Sequence, residues 1–167
     1  RKLNMFELHF TEKQFMVVLV RPAGNENSFA DYASDIRDGG QVGLIESSIF
    51  SELLGEHYGC YPANLDDRYA FLLNFAAEDE MEISTEVAAI CRDAVKFIKD
   101  NFCLSLRVCV SGMCEGLYSL HDAFRETEIV SGDLNTVYVD DVCVRAEGGK
   151  ITGNRRPEPS IEKQYLN

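Results

Sequence analysis

The chain has 167 residues, of which 46% are hydrophobic and 26% are charged, the balance typical of one globular domain. Its 28 acidic and 16 basic residues give a formal net charge of −12, which argues against direct contact with a nucleic-acid backbone or an anionic membrane surface. The longest apolar run, residues 15–20, is too short to cross a bilayer, and no signal-peptide pattern opens the sequence.

The cysteine spacing argues against a zinc site. No two cysteines stand in the Cys-x-x-Cys arrangement that zinc ribbons and fingers use to bring two ligands to one ion. We interpret the cysteines as small buried hydrophobic side chains in a reducing compartment, the cytoplasm, rather than as disulfides or metal ligands. The six residues are Cys60, Cys91, Cys103, Cys109, Cys114 and Cys143.

The first third of the sequence predicts a strand followed by a helix. Residues 15–20 are β-branched, aromatic or long apolar, which indicates a strand inside a sheet that is covered on one face. Residues 25–43 are polar and contain glycine, so we expect a loop with one irregular helical turn. Residues 42–58 predict a helix, with Glu46 facing away from the core and Gly59 as the C-terminal cap. Its inward positions recur at four-residue spacing, with Leu54 beside them: Ile45, Ile49 and Leu53.

The middle of the sequence predicts a hairpin and a long helix. Residues 60–65 and 68–75 read as strands joined by the turn Asp66-Asp67. Residues 76–83 are acidic and predict an exposed loop, after which Ser84 can cap a helix. One apolar stripe marks that helix: Val87, Ile90, Cys91, Ala94, Ile98 and Phe102.

The last third predicts a strand, a short helix and a final strand before a linker. Residues 104–110 alternate and predict a strand with one buried face; residues 117–127 predict the helix and residues 136–144 the last strand. The tail from residue 146 is charged and rich in glycine and proline, which is typical of a linker. Ser160 could cap a further helix that continues into a module beyond the sequence.

The order strand, helix, hairpin, helix, strand predicts an α+β fold of the ferredoxin-like βαββαβ kind. Its sheet is antiparallel, with the helices packed mainly on one face. We expect a lead-in over residues 1–14, one domain over residues 15–145, and a linker with the start of a helix over residues 146–167.

Several motifs together resemble a known family. They are FMVVLVR at residues 15–21, DDRYAFLL at 66–73, LRVCVSG at 106–112 and LYSLHDAFRE at 117–126. Over residues 15–144 the chain is similar to the degenerate GGDEF-like domains of AraC-type transcription regulators of Gram-positive bacteria. That resemblance implies a nucleotidyl-cyclase-like fold and a regulatory, signal-coupling role, with DNA binding in a C-terminal helix-turn-helix region beyond this sequence.

The resemblance also identifies where an active cyclase would hold its metal ions. Active relatives carry an acidic residue after the first strand and a Gly-Gly-Asp/Glu-Glu-Phe turn, because carboxylates bind Mg²⁺ and glycines let a nucleotide approach the backbone. Here Leu65 and Asp66 replace the two glycines, and Arg68 stands where the second carboxylate belongs. The first strand ends at Arg21, with no carboxylate there. We therefore expect a domain that is not an enzyme, with no catalytic residue, metal or cofactor.

Three residues remain as possible vestigial ligand contacts: Arg21, Asp67 and Arg68. The alternative function is an allosteric nucleotide- or anion-binding domain that uses Arg21 and Arg68; a simple solvated hairpin turn also explains Asp66-Asp67-Arg68. An active nucleotidyl cyclase is the alternative that the sequence favours least. In the full-length protein, soluble or membrane-anchored, we expect a homodimer that contacts DNA only through its C-terminal region, while this domain contacts no membrane.

Overall fold

A computed structural model describes residues 10–23, 41–65, 68–76 and 79–145 of the chain. The predicted turn Asp66-Asp67, the predicted helical turn within residues 25–43 and the predicted linker from residue 146 lie outside these residues. The described part contains the strands β1 (Gln14–Pro22), β2 (Gly59–Leu65), β3 (Arg68–Phe75), β4 (Leu106–Val110), β5 (Cys114–Glu115) and β6 (Val142–Val144). Its helices are α1 (Gln41–Gly55), α2 (Glu80–Phe102) and α3 (Gly116–Gly132).

The strands form one open, mostly antiparallel sheet in the order β2-β3-β1-β4-β6, and β5 pairs with the beginning of β1. Only the pair β4–β6 is parallel among the described strands. The predicted α+β class is confirmed, and the first six elements follow the predicted order β-α-β-β-α-β. None of the described helices is long and apolar enough to span a membrane.

The central strand β1 is buried on both faces, whereas the sequence predicted a sheet covered on one face. Residues 15–20 are at most 3% exposed. Met16, Val18 and Val20 join the main core with α1 and α2, while the alternate side chains face the opposite side, where α3 packs. The sequence pattern did not predict this second layer.

Helix α1 packs most of its predicted stripe against the core, with Leu54 fully buried and Ile49 and Leu53 partly buried, but it also buries two residues outside that stripe. Phe50 and Leu54 are fully buried, and Glu46, which was expected to face away, is 1% exposed. Glu46, Phe50 and Leu54 are separated by four residues each, so they lie on one face of the helix. The helix ends at Gly55 rather than before Gly59, which is instead the first residue of β2.

Helix α2 begins four residues earlier than Ser84. The Asp79 carboxylate accepts hydrogen bonds from the backbone N–H groups of Met81, at 3.0 Å, and Glu82, at 3.4 Å. The acidic residues Glu80 and Glu82 then occupy the first turn, where their negative charges interact favourably with the positive end of the helix dipole. The acidic segment predicted as a loop is therefore partly the start of the helix, and Ser84 is buried inside it.

The elements after α2 also differ from their predicted lengths and burial. Helix α3 extends beyond the predicted residues 117–127, and β6 covers only the end of the predicted strand 136–144. Cys109, on the face of β4 that was expected to be exposed, is 3% exposed because the second layer covers it. Phe102, expected in the core stripe of α2, is 46% exposed.

Two buried polar side chains form hydrogen bonds with the backbone of β1 and of the residue that leads into it. The Asn74 amide group donates to the backbone carbonyls of Glu12 and Gln14, at 3.0 Å each, and accepts from the Glu12 N–H at 3.2 Å. At the other neighbour of β1, the Ser111 hydroxyl accepts from the Val17 N–H at 2.8 Å. These bonds satisfy backbone groups that would otherwise be costly to bury.

Stability should fall in alkaline solution because of Cys91, which is fully buried in the main core. Burial raises the pKa of its thiol to about 12. In the unfolded chain the thiol ionises at about pH 8.5. The contribution of the buried, protonated thiol to the unfolding free energy is therefore complete below that pH and is lost as pH rises towards the pKa of the folded state. We expect this residue to add a slope of at most about 1.4 kcal/mol per pH unit to the loss of unfolding free energy.

Urea unfolding of the unmodified chain and of Cys91→Ala between about pH 8.5 and 10.5 measures this slope. The variant should be less stable at about pH 8.5 but show the shallower decline, so that the two curves converge as pH rises, whereas Cys103→Ala, at an exposed position, should keep the original slope. Equal slopes in all three proteins would contradict the assignment.

Candidate functional site

Three arginines lie side by side across the sheet. Arg21 of β1 is the register partner of Arg107 of β4. On the other side, Val20 pairs with Tyr69 of β3, so the next position along both strands places Arg21 beside Arg68. We call Arg21, Arg68 and Arg107 the arginine row.

The arginine row lies on the face of the sheet that α3 covers. Val20, Tyr69 and Val108, each adjacent in sequence to one of the arginines, belong to the core on the other face. Because successive side chains of a strand point to opposite faces, the three guanidinium groups point towards the α3 layer.

Helix α3 supplies partners to two members of the row. Arg68 forms an ion pair with Glu128, and Arg21 Nη1 donates a hydrogen bond to Ser131 Oγ at 2.8 Å. Glu128 and Ser131 are three residues apart, so they lie on one face of the last turns of α3. The C-terminal end of a helix carries partial negative charge, which adds to the attraction for guanidinium groups.

The third arginine of the row contacts the segment between α3 and β6. The Arg107 guanidinium carbon lies 4.8 Å from the centre of the Tyr138 ring, and its Nε is 3.9 Å from the Asp141 carboxylate. The Arg107 side chain is 52% exposed, so each contact contributes little on its own. The row as a whole is thus engaged by one continuous segment, α3 and the residues that follow it.

The structure places the predicted contacts Arg21 and Arg68 next to each other, while Asp67 lies outside the described residues. Sequence reasoning missed Arg107, Glu128 and Ser131 as members of this site. Arg107 is visible as an outward position of an alternating strand, but its position beside Arg21 depends on the order of strands in the sheet. Glu128 and Ser131 lie beyond the predicted end of the helix, at residue 127.

The described part of the site does not fit the Mg²⁺ ions that an active cyclase would use. Mg²⁺ takes oxygen ligands, chiefly carboxylates, whereas the groups at these strand ends are guanidinium cations. The carboxylates of Glu128 and Asp141 are placed against Arg68 and Arg107. Within the described ranges, no three His, Cys, Asp or Glu side chains are grouped as metal ligands.

An open groove of about 650 Å³ lies at the opposite end of β1 and has a different chemistry. Its lining includes five carboxylates, and the Tyr58 hydroxyl donates a hydrogen bond to one of them. Burial, followed by the effect of this carboxylate, raises the pKa of the Tyr58 phenol above its ordinary value. Negative charge makes this groove unsuitable for a phosphate group. The carboxylates belong to Glu12, Glu56, Asp79, Glu82 and Glu86.

Comparison with known proteins identifies the domain type. The family model described as GGDEF-like domain matches residues 1–130 of the chain, which is more than three quarters of its length. No curated protein matches the chain. No solved structure matches it either.

The ion pair between Arg68 and Glu128 should stabilise the α3 layer. Both side chains are half-buried, so we expect a coupling energy of about 0.5–1 kcal/mol in a double-mutant cycle of Arg68→Gln and Glu128→Gln. Urea unfolding of the four proteins measures it.

The matched control is the exposed pair Lys96 and Asp100, one turn apart on α2. We expect its cycle, with Lys96→Gln and Asp100→Asn, to give a smaller coupling energy, because water screens this exposed pair. A coupling energy at Arg68 and Glu128 that is no larger than the control would mean that the pair does not hold α3 to the sheet.

Proposed function

The chain belongs to the GGDEF-like domain family, and from this premise we propose that it is a non-catalytic regulatory domain of an AraC-type transcription regulator. In this proposal the domain couples a signal to DNA-binding units that lie in another part of the protein. The domain itself acts by contact and conformation rather than by chemistry.

The observation that carries the proposal is the engagement of the arginine row by α3. Nucleotide condensation needs carboxylates that hold metal ions beside the triphosphates. Arg21 and Arg68 stand at adjoining ends of β1 and β3 instead, and both contact α3. A site whose cations are taken by the protein's own helix is suited to hold that helix in place, which supports a structural or coupling role.

The charge of the chain supports a division of labour with a separate DNA-binding region. A formal charge of −12 repels a phosphate backbone, so specific contact with DNA is better served by another part of the protein. We propose a homodimer for the full-length regulator, since paired DNA-binding units read sites of matching symmetry. The six free thiols support a cytoplasmic, reducing location.

We also propose that the core is ferredoxin-like. The order β2-β3-β1-β4, with α1 and α2 packed on the same face, supports this assignment. Strand β6 and helix α3 are additions to this core, and α3 is the one that covers the arginine row.

A turnover assay tests the non-catalytic proposal. We expect the chain, incubated with guanosine or adenosine triphosphate and Mg²⁺, to release no pyrophosphate and to form no cyclic product above the rate without protein. An active GGDEF cyclase in the same assay serves as the positive control. Product that depends on the chain, and that is lost in Arg68→Gln, would overturn the proposal.

A DNA-binding measurement tests the division of labour. At physiological salt we expect the chain to bind duplex DNA more weakly than about 10⁻⁴ M, the weak end of non-specific binding. Full-length regulator serves as the positive control in the same fluorescence anisotropy titration. Tighter binding by the chain alone would contradict the proposed separation.

The arginine row favours a second candidate function, an allosteric site for a nucleotide or another anion. Three adjacent guanidinium groups can bind phosphate oxygens, but an anion would have to compete with Glu128 for Arg68. Calorimetry with guanosine triphosphate separates the two candidates. A signalling site would give heat that grows in Glu128→Gln and disappears in Arg68→Gln, whereas our leading proposal expects no heat in the unmodified chain.

A further inference from the structure

Two cysteines lie side by side on neighbouring strands, on the face of the sheet that α3 covers. Cys109 of β4 and Cys143 of β6 are register partners in the parallel pair, so the two residues lie side by side on adjacent strands. Val142 and Val144 point into the main core, so Cys143 points to the α3 side, as Cys109 does. Neighbouring strands are about 4.8 Å apart, within the Cα separation of about 4.4–6.8 Å that a disulfide spans.

Polar and charged groups surround the Cys109 sulfur. The Tyr138 hydroxyl lies 3.3 Å from it, and Ser131 and the positive charge of Arg21 also act on it. The pKa of the Cys109 thiol lies below its ordinary value, chiefly because of the hydrogen bond with Cys143, and the other three groups help to overcome the opposing effect of burial. A lowered pKa increases the fraction of thiolate, the form that reacts with oxidants. Cys109 is only 3% exposed, so the oxidant must be a small hydroperoxide that reaches its sulfur past the partly exposed Cys143 on the edge strand β6.

A second pair of neighbouring cysteines provides an internal contrast. Cys60 and Cys91 interact electrostatically within the main core. Burial raises the pKa of Cys60 to about 11 and that of Cys91 to about 12. Both thiols therefore remain protonated at neutral pH and are poor nucleophiles. The two cysteines are close together in both pairs, but only in the pair with Cys109 do neighbouring groups stabilise a thiolate.

We propose that Cys109 and Cys143 form a redox-active dithiol, which a hydroperoxide converts into a disulfide between β4 and β6. The Cys109 thiolate attacks one peroxide oxygen, the O–O bond breaks, and the other oxygen leaves as water or an alcohol after taking up a proton. Cys143 then attacks the sulfur of the resulting sulfenic acid, the S–S bond forms, and the hydroxyl group leaves as water with the Cys143 proton. The two thiols lose two electrons and two protons in all.

The disulfide would join the two ends of the segment that contacts the arginine row into a covalent loop. The chain between the two cysteines contains β5 and α3, together with Tyr138. Strand β6 has three residues and lies at the edge of the sheet, so it can make the small adjustment that disulfide geometry requires. This inference stands apart from the proposed function, because it depends on the two thiols and not on the role of the domain.

Peptide mapping of the oxidised chain tests the proposal. The reduced, folded chain is treated with hydrogen peroxide, the remaining thiols are blocked with N-ethylmaleimide, and tryptic peptides are identified by mass spectrometry. We expect a Cys109–Cys143 cross-link, the loss of two of the six free thiols, and full reversal by dithiothreitol. Cys109 and Cys114 share a tryptic peptide, so Cys114→Ser is included and should keep the cross-link.

Variants of the pair identify the attacking thiol. In Cys143→Ser, the sulfenic acid on Cys109 cannot form the disulfide and should be trapped by dimedone, whereas in Cys109→Ser dimedone should not label Cys143. Oxidation of the exposed Cys103 alone, or cross-linking of Cys60 to Cys91 at the same rate, would overturn the proposal. If a variant does not fold, fragment spectra of the cross-linked peptide from the unmodified chain decide the question, because they distinguish Cys109 from Cys114.

Discussion

The burial of β1 on both faces is the constraint on which the rest of the structure depends. The strand pairs with β3 and β4 along its sides and is covered by α1 and α2 on one face and by α3 on the other. A strand in this position cannot tolerate an unsatisfied polar group, since no water reaches it. Asn74 and Ser111 satisfy such groups by forming hydrogen bonds with the backbone of β1 and of the residue that leads into it. Polar side chains of β1 are accordingly confined to its ends, at Gln14 and Arg21.

The arginine row follows from the same arrangement. Since β1 is central, a residue at its end has neighbours on two strands, and the register places an arginine on each side of Arg21. Three guanidinium groups in a row repel one another unless anionic or polar groups lie above them. The last turns of α3 provide Glu128 and Ser131 at that place, together with the negative end of the helix dipole. The position of α3 and the composition of the strand ends are therefore mutually dependent.

The sequence predicted the sheet strands better than the layer that covers their second face. Alternation in residues 68–75 and the unbroken run at 15–20 are local signals, and the strands they predict are present. Burial of Glu46 could not be predicted from a polar side chain, whereas Cys109 is buried, as expected of the cysteines, but by a layer that the strand pattern did not predict. The start of α2 was misplaced because Ser84 and Asp79 both satisfy the preference for a capping residue, and only the backbone geometry distinguishes them. At the site, Arg21 and Arg68 were identified from the family resemblance, which points to the positions where active relatives carry carboxylates, but their contacts with α3 required the tertiary structure.

The arginine row and the cysteine pair belong to one electrostatic environment. Ser131 accepts a hydrogen bond from Arg21 and also acts on Cys109, and the charge of Arg21 favours the thiolate. A change in the charge of Cys109 therefore changes the electrostatic interactions of Arg21. Because Ser131 contacts both groups, the same change affects the C-terminal end of α3. The neighbouring phenol responds in the same way, since burial and then the Cys109 charge raise the pKa of Tyr138. Because Tyr138 also lies under Arg107, the electrostatic effects of Cys109 extend to two of the three arginines. The proposed role of the domain is to couple a signal to other parts of the protein. In the α3 layer, a chemical change at Cys109 acts directly on the contacts that hold α3 against the sheet.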